Sequence, residues 1–258
     1  MLVYHYDETD STNTRAAELA REHVGEVIVV SAGKQTMGRG RMGRKWESPA
    51  GGAWFSVVWP SNRGPEEMGA APLAVGMAVR EVIAGMGEAG LRDRLRIKWP
   101  NDVLVGERKL VGILCEQVLV AGQGVEEGIG GSMILGVGIN ANVDVSGLGE
   151  DLRTRPTSLK DELGCEVNIT KLIGDCGVAI TGAMRELEVC GGLNEEARAR
   201  IEGSLAWVGE EVRYEMGGKE QMGVLVGVDD GGGLLVEVGG KSRIRLESGE
   251  ITKMRGSG

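Results

Sequence analysis

The chain has 258 residues, 41% of them hydrophobic, which is enough for one large domain or a main domain with a small appendage. Its formal charge of −9 at pH 7 excludes a general nucleic-acid binder, whose affinity would rest on basic surface. No charged start followed by an apolar run opens the chain and no apolar stretch is long enough to cross a bilayer, so a cytoplasmic location is expected.

Ser11 or Thr12 is a suitable N-cap for a helix over 14–23, in which Ala17, Leu19, Ala20 and Val24 form an apolar stripe. A buried strand over 27–31 leads to Gln35 and then to Gly38, Arg39, Gly40, Arg41, Met42, Gly43 and Arg44. Glycine permits close backbone approach and positive φ, so this loop can lay N–H groups and guanidinium forks against a phosphate or carboxylate. Taken alone it reads equally well as a solvated basic turn. A strand over 53–59 and a helix opened by Pro65 and running to Met86 come next.

Strands are predicted near 94–98, 102–106, 109–120 and 131–140. Pro100 restricts Trp99 to an extended conformation and ends the first of these, leaving Asn101 and Asp102 at a turn. The following hairpin would carry Asn101 and Asp102 near one end and Lys109 near the other. Only a strongly curved sheet or a ligand lying along the strand would then engage both. Helices are predicted over 172–187 and 195–202. From Leu205 onward, short alternating runs are broken by Asp229, Asp230, Gly231, Gly232 and Gly233 and again by Gly239 and Gly240, which predicts a small β-barrel of about fifty residues. The fold class is α+β with a mixed, largely antiparallel sheet, in two domains, 1–203 and 204–258.

Cys115, Cys165, Cys176 and Cys190 make no C-x-x-C pair, and His5 and His23 lack metal-ligand spacing, so the cysteines are expected to be reduced core or surface thiols. Trp46, Trp54, Trp59 and Trp99 all fall near the motifs above, where they would either stack on a heterocycle or pack a core.

Five blocks together resemble the biotin protein ligases, in that family's order and spacing over residues 5–145. They are Asp10, Ser11, Thr12 and Asn13; Gln35; the glycine and arginine loop; Lys98 to Asp102 with Arg108, Lys109, Leu110, Val111, Gly112, Ile113 and Leu114; and Gly136, Val137, Gly138, Ile139 and Asn140. The resemblance implies a class II synthetase-like catalytic domain followed by an SH3-like domain. Biotin and MgATP would give biotinyl-5′-AMP and pyrophosphate, and the acyl group would pass to one lysine of a biotin carboxyl carrier protein. Only about ten residues precede the first block, too few for the helix-turn-helix module that some members carry, so the ligase-only form without DNA binding is expected.

The resemblance also implies roles. Ser11, Thr12 and Gln35, with Asn13 beside them, would hydrogen-bond the ureido ring; each ring group left unpaired in an apolar pocket would cost about 1–3 kcal/mol. Ser11 would also serve as a helix cap. Gly38, Arg39, Gly40 and Arg41 would cover the valerate and carboxylate, over a floor to which Gly112, Gly136 and Gly138 bring the sheet close. Arg41 and Arg44 would hold phosphates and close the loop as a gate against water. Met42 stands where arginine is common in the family, which lowers the positive potential. Lys109 would bridge the biotin carboxylate and α-phosphate, with Lys98 near the phosphates. Trp46 and Asn140 would contact the nucleotide. Asn101 would position phosphate or Mg²⁺, the ion being held mainly by ATP oxygens. Asp102 would first orient the incoming lysine ammonium and then help remove its proton, since an ordinary aspartate is a weak base toward lysine.

Lipoate protein ligases share the acyl-adenylate chemistry but usually lack the glycine and arginine loop, and a non-catalytic biotin sensor is the rival from another class. Exposed strand edges make a homodimer through the central sheet a further expectation.

Overall fold

The structure is a computed structural model and describes residues 1–258 apart from Asn62, Pro65, Glu88, 120–130, 148–153, Lys241, 254–258 and the side chain of Ala89. The first strand is β1 (Leu2–Thr9), followed by α1 (Thr12–Glu22), β2 (Ile28–Gln35), β3 (Ala53–Ser61), α2 (Ala71–Ala84) and α3 (Ala89–Arg94). Then come β4 (Leu95–Lys98), β5 (Asp102–Val105), β6 (Arg108–Leu119), β7 (Gly131–Ile139), α4 (Leu159–Leu163), α5 (Ile169–Cys190) and α6 (Glu195–Glu202). The chain ends in β8 (Glu211–Met216), β9 (Lys219–Val228), β10 (Leu234–Val238), β11 (Ser242–Leu246) and β12 (Ile251–Lys253).

Seven strands form the main sheet in the order β1-β2-β3-β7-β6-β5-β4. Only β1 and β2 run parallel, so the sheet is mixed and largely antiparallel as expected. Alternation along the strands divides the apolar residues between two faces. Val29, Phe55, Val57, Trp59, Leu135 and Val137 join α2 and α5 in the large core, whereas Ile28, Val30, Val58 and Ile134 pack under α1 with Ala16, Leu19 and Ala20. Helix α1 covers only part of its face. The uncovered part carries one transverse row set by strand register: Trp54 opposite Gly138, Gly138 opposite Gly112, Gly112 opposite Asp102, and Asp102 opposite Lys98. Residues from five strands thus lie side by side.

Where a small C-terminal barrel was expected, five strands form an antiparallel sheet in the order β11-β10-β9-β8-β12. Its buried Val212, Leu225, Val236 and Ile251 belong to the same apolar cluster as the main sheet, and Trp99 Nε1 donates to Gly232 O at 2.9 Å. The Trp99–Pro100 peptide is cis.

Several expectations shift. Pro65 lies outside the described residues, and α2 begins at Ala71 with Pro72 in its first turn, where a missing N–H costs nothing. Helix α5 extends beyond 172–187 because Asn168 caps it at Lys171 N and Gly191, at φ 70°, ends it. The edge strand β1 and the short helices α3 and α4 were not expected; none has a full period of apolar residues to mark it.

Candidate active site

Strand β2 ends at Gln35, and the loop that follows is a crossed pair of legs. Gln35 N donates to Ser48 O (3.0 Å), Trp46 N to Gly38 O (2.9 Å) and Gly40 N to Arg44 O (2.7 Å). At the tip Met42 and Gly43 take left-handed backbone, φ 58° and 72°. A Cβ on Gly38 would stand 2.3 Å from Trp46 O, so Gly38 lets the legs cross and does not itself line the cavity.

The legs roof a cavity of about 200 Å³ over the uncovered sheet face. Ser11, Thr12, Asn13, Gln35, Arg39, Gly40, Arg41, Arg44, Trp46, Asn101, Asp102, Lys109, Gly112, Gly136, Gly138 and Asn140 all line it. Of the residues expected there, Gly38 and Lys98 are outside. Lys98 Nζ turns instead to Thr154 Oγ1 at the rim (3.3 Å) and over the Trp207 ring (5.6 Å).

Polar residues ring one end. Gln35 Nε2 donates to Ser48 Oγ (2.8 Å), while Gln35 Oε1 accepts from Thr12 N (2.7 Å) and Thr12 Oγ1 (3.2 Å). Ser56 Oγ lies 2.8 Å from Thr12 Oγ1 and 2.6 Å from Asn13 Oδ1. Asn13 Nδ2 donates to Glu116 Oε2 (2.7 Å) and reaches Leu114 O (3.3 Å), so this amide is engaged by protein at both ends rather than offered to a ligand. Ser11 occupies the N-cap position, yet its side chain makes no capping bond, so the dual role expected for it reduces to lining the cavity.

Every loop arginine has a protein partner. Arg39 Nη2 donates to Glu116 Oε2 (2.8 Å), Arg41 Nη1 to Asn101 Oδ1 (3.2 Å) and Gly249 O (3.3 Å), and Arg44 pairs with Glu250. Burial, reinforced by the Arg44 charge, holds the Arg41 guanidinium below the usual arginine range against the pull of Asp102 and Glu250. It stays charged but poorly hydrated, so an arriving anion finds a cation with little solvation to give up.

Lys109 and Asp102 were expected at opposite ends of a hairpin, and the structure corrects this: Lys109 Nζ lies 2.7 Å from Asp102 Oδ1. A register shift between Val103 and Leu104 sets Lys109 across from Leu104, two residues from Asp102, and the lysine side chain spans that step. The oxygen is buried and no described group is aligned to donate to it, so the contact is Coulombic. Lys109 is itself held by backbone bonds to Arg155 O (2.7 Å) and from Thr157 N (2.9 Å).

Glycine's part in the floor also differs from expectation. A Cβ on Gly112 or Gly138 would meet the Trp46 indole at 2.6 and 2.5 Å, and one on Gly136 would meet Asn13 Oδ1 at 2.1 Å. These glycines admit protein side chains. Trp46 is the one tryptophan of the expected four that lines the cavity; Trp54 backs it edge-on at 6.4 Å, and Trp59 and Trp99 are buried in the core. The Trp46 Nε1 is buried with no hydrogen-bond partner among the described residues, and Lys109 Nζ sits 5.1 Å above its ring.

Asn101 is engaged by protein at both ends of its amide. Its Oδ1 accepts from Arg41, its Nδ2 donates to Ile113 O (2.7 Å), and no cluster of three His, Cys, Asp or Glu suited to an ion occurs among the described residues. Asn140 Nδ2 donates to Thr157 O (3.1 Å). Motif reading missed Ser48, Ser56, Glu116 and Glu250. A serine amid the apolar strand 53–61 and a glutamate within 108–119 were signals of inward polar positions; nothing marked Glu250, which arrives from the second sheet.

Clustered cations and a ring of hydrogen-bonding groups thus line one cavity, a setting suited to an anionic ligand that also carries polar groups. The model of the biotin/lipoate A/B protein ligase family matches residues 6–140. The biotin–[acetyl-CoA-carboxylase] ligase of Paracoccus denitrificans is 33% identical over 88% of this chain and 91% of its own length. The bifunctional ligase/repressor of Bacillus subtilis is 32% identical over 92% of this chain and 69% of its length. Among solved structures, a biotin protein ligase from Aquifex aeolicus in complex with biotin and ATP superposes with a TM-score of 0.77 at 28% identity, covering 98% of this chain and 99% of that one. The chain belongs to the biotin/lipoate A/B protein ligase family.

Proposed function

We propose that this chain is a biotin protein ligase that activates biotin with ATP as biotinyl-5′-AMP and transfers it to a lysine of a biotin carboxyl carrier domain. The observation that carries the reading is one cavity lined both by the cations Arg39, Arg41, Arg44 and Lys109 and by the polar ring of Thr12 and Gln35. A ligand with a carboxylate and a ureido head suits a cavity lined by both kinds of group, and the ring supplies both donors and acceptors.

In the first step a biotin carboxylate oxygen attacks the α-phosphorus and pyrophosphate leaves. Arg41 and Lys109 lower the repulsion between the two anions and the charge built up in the transition state. Lys109 must turn from Asp102 toward the new anhydride. That frees Asp102 to take the ammonium of the carrier lysine, guide it and accept its proton; the amine then attacks the acyl carbon and AMP leaves. Trp46, whose N–H lacks a partner, forms an aromatic wall for the nucleotide. No cluster of three His, Cys, Asp or Glu suited to an ion occurs among the described residues, and Mg²⁺ would arrive with ATP, held mainly by its phosphate oxygens.

Division into a catalytic domain, 1–203, and an SH3-like domain, 204–258, follows the two sheets. Glycines at the loop tip suit a gate that shields the adenylate from water. Homodimerisation through the central sheet and a cytoplasmic setting complete the proposal. Incubation with biotin, MgATP and a biotin carboxyl carrier domain should add the mass of one biotinyl group to the carrier; an unchanged carrier mass with an active control ligase in parallel contradicts transfer.

A further inference from the structure

The polar ring closes on the arginine loop at two points. It begins at Ser48 on the returning leg, passes through Gln35, Thr12, Ser56 and Asn13, and comes back to the loop where Glu116 Oε2 meets Arg39. Glu116 is the only acidic member. A carboxylate this close to a site for anions opposes their binding by simple Coulomb repulsion, so its usefulness must lie in what it holds.

We propose that Glu116 is a positioning residue that couples closure of the arginine loop to alignment of the ureido-binding groups. A single oxygen, Oε2, accepts from Asn13 Nδ2 on α1 (2.7 Å) and from Arg39 Nη2 on the loop (2.8 Å). Register brings Glu116 there: it lies opposite Ile134 on the cavity face, in line with Leu114 and Gly112 on β6. With Asn13 fixed from the other side by Ser56, the loop cannot swing out without giving up its bond to the same Glu116 oxygen that holds Asn13, one residue from Thr12 at the helix start. Biotin held by the ring therefore also holds the loop shut. The Arg39–Glu116 pair is substantially exposed, at 47% and 35% of side-chain area, and exposed pairs of this kind add little to stability. Its effect should accordingly register in ligand kinetics rather than in melting.

This inference rests on the ligase reading, and Glu116→Gln tests it separately. Glutamine keeps the volume and an acceptor for Asn13 but loses the charge on Arg39. The variant should release biotin about tenfold faster and raise the KM for biotin in pyrophosphate exchange by a similar factor, as expected for a lost charge-assisted contact. The KM for ATP and the thermal midpoint should stay near those of the parent. Combining Glu116→Gln with Arg39→Gln should add nothing to the effect of Arg39→Gln alone. Biotin release unchanged in Glu116→Gln, beside a parent that exchanges normally, overturns the coupling, as does a parallel loss in both KM values and the midpoint. A parent that shows no biotin-dependent exchange overturns the ligase reading and this inference with it.

Discussion

Asp102 and Lys109 neutralise each other at 2.7 Å, and each is needed elsewhere during the proposed reaction. Asp102→Asn leaves Lys109 free to bind the adenylate but removes the anion that receives the carrier ammonium. Transfer from preformed biotinyl-AMP should therefore fall by about 10²–10⁴, the usual range for a lost general base, with adenylation much less affected. Single-turnover transfer at the parental rate would remove Asp102 from the mechanism. The thiols divide just as sharply. Burial, with a minor push from Glu116, raises Cys115 to about 12, and burial with Asp175 does the same for Cys176, while Cys165 and Cys190 are exposed. The thiolate is the reactive form, so a thiol reagent at neutral pH should modify exposed Cys165 and Cys190 quickly, half-buried Cys115 slowly and buried Cys176 only on unfolding. Fast modification of Cys176 in the native protein would contradict its burial. Motif spacing made the cationic residues legible, because each sits within a short conspicuous block. It could not show their partners: Arg39 meets Glu116, and Arg44 meets Glu250, only after strands distant in sequence have been laid in register.

At the scale of elements, the sheet floor explains which glycines are replaceable. Gly136→Ala would drive a methyl into Asn13 Oδ1, whose amide is tied to Ser56 and Glu116, and should cost about 1–3 kcal/mol of stability as an overpacked buried site. Gly174 lies within α5, is exposed, and would have nothing within 4 Å of an added Cβ, so Gly174→Ala should stabilise by about 0.5–1 kcal/mol through helix propensity. Denaturant titration of the two variants would show opposite shifts; shifts of the same sign would mean that the floor is not packed as described. The helix over 195–202, read from its charged run, and the strands of the central hairpin were readable in advance. Ends and short pieces were not. The start of α2 depends on Pro72 rather than Pro65, and α3 and α4 are held by tertiary contacts such as the pairing of Arg94 and Arg108 with buried Glu162.

For the whole molecule, the two sheets share one apolar cluster, and Trp99 reaches from the turn after β4 to Gly232 in the second sheet. The two units should consequently unfold together. A single calorimetric transition with equal calorimetric and van't Hoff enthalpies is expected, and Trp99→Phe should lower stability by about 2–4 kcal/mol from lost packing and an unpaired carbonyl. Two resolved transitions would show that the second sheet folds independently. Gly249 and Glu250, just before β12, rest on Arg41 and Arg44, so that the C-terminal part of the chain contributes to the cavity wall. The expected C-terminal barrel pointed to that sheet but not to its reach into the site, which depends on how its last turn packs against the loop.

The central claim is that this cavity joins biotin to the α-phosphate of ATP. Its most direct test is exchange of labelled pyrophosphate into ATP with Mg²⁺ and no carrier protein, run with biotin, lipoate and octanoate in parallel. Exchange that depends on biotin and fails with the other two acids is the predicted result. Exchange supported by lipoate and not by biotin, or by none of the three, would contradict it.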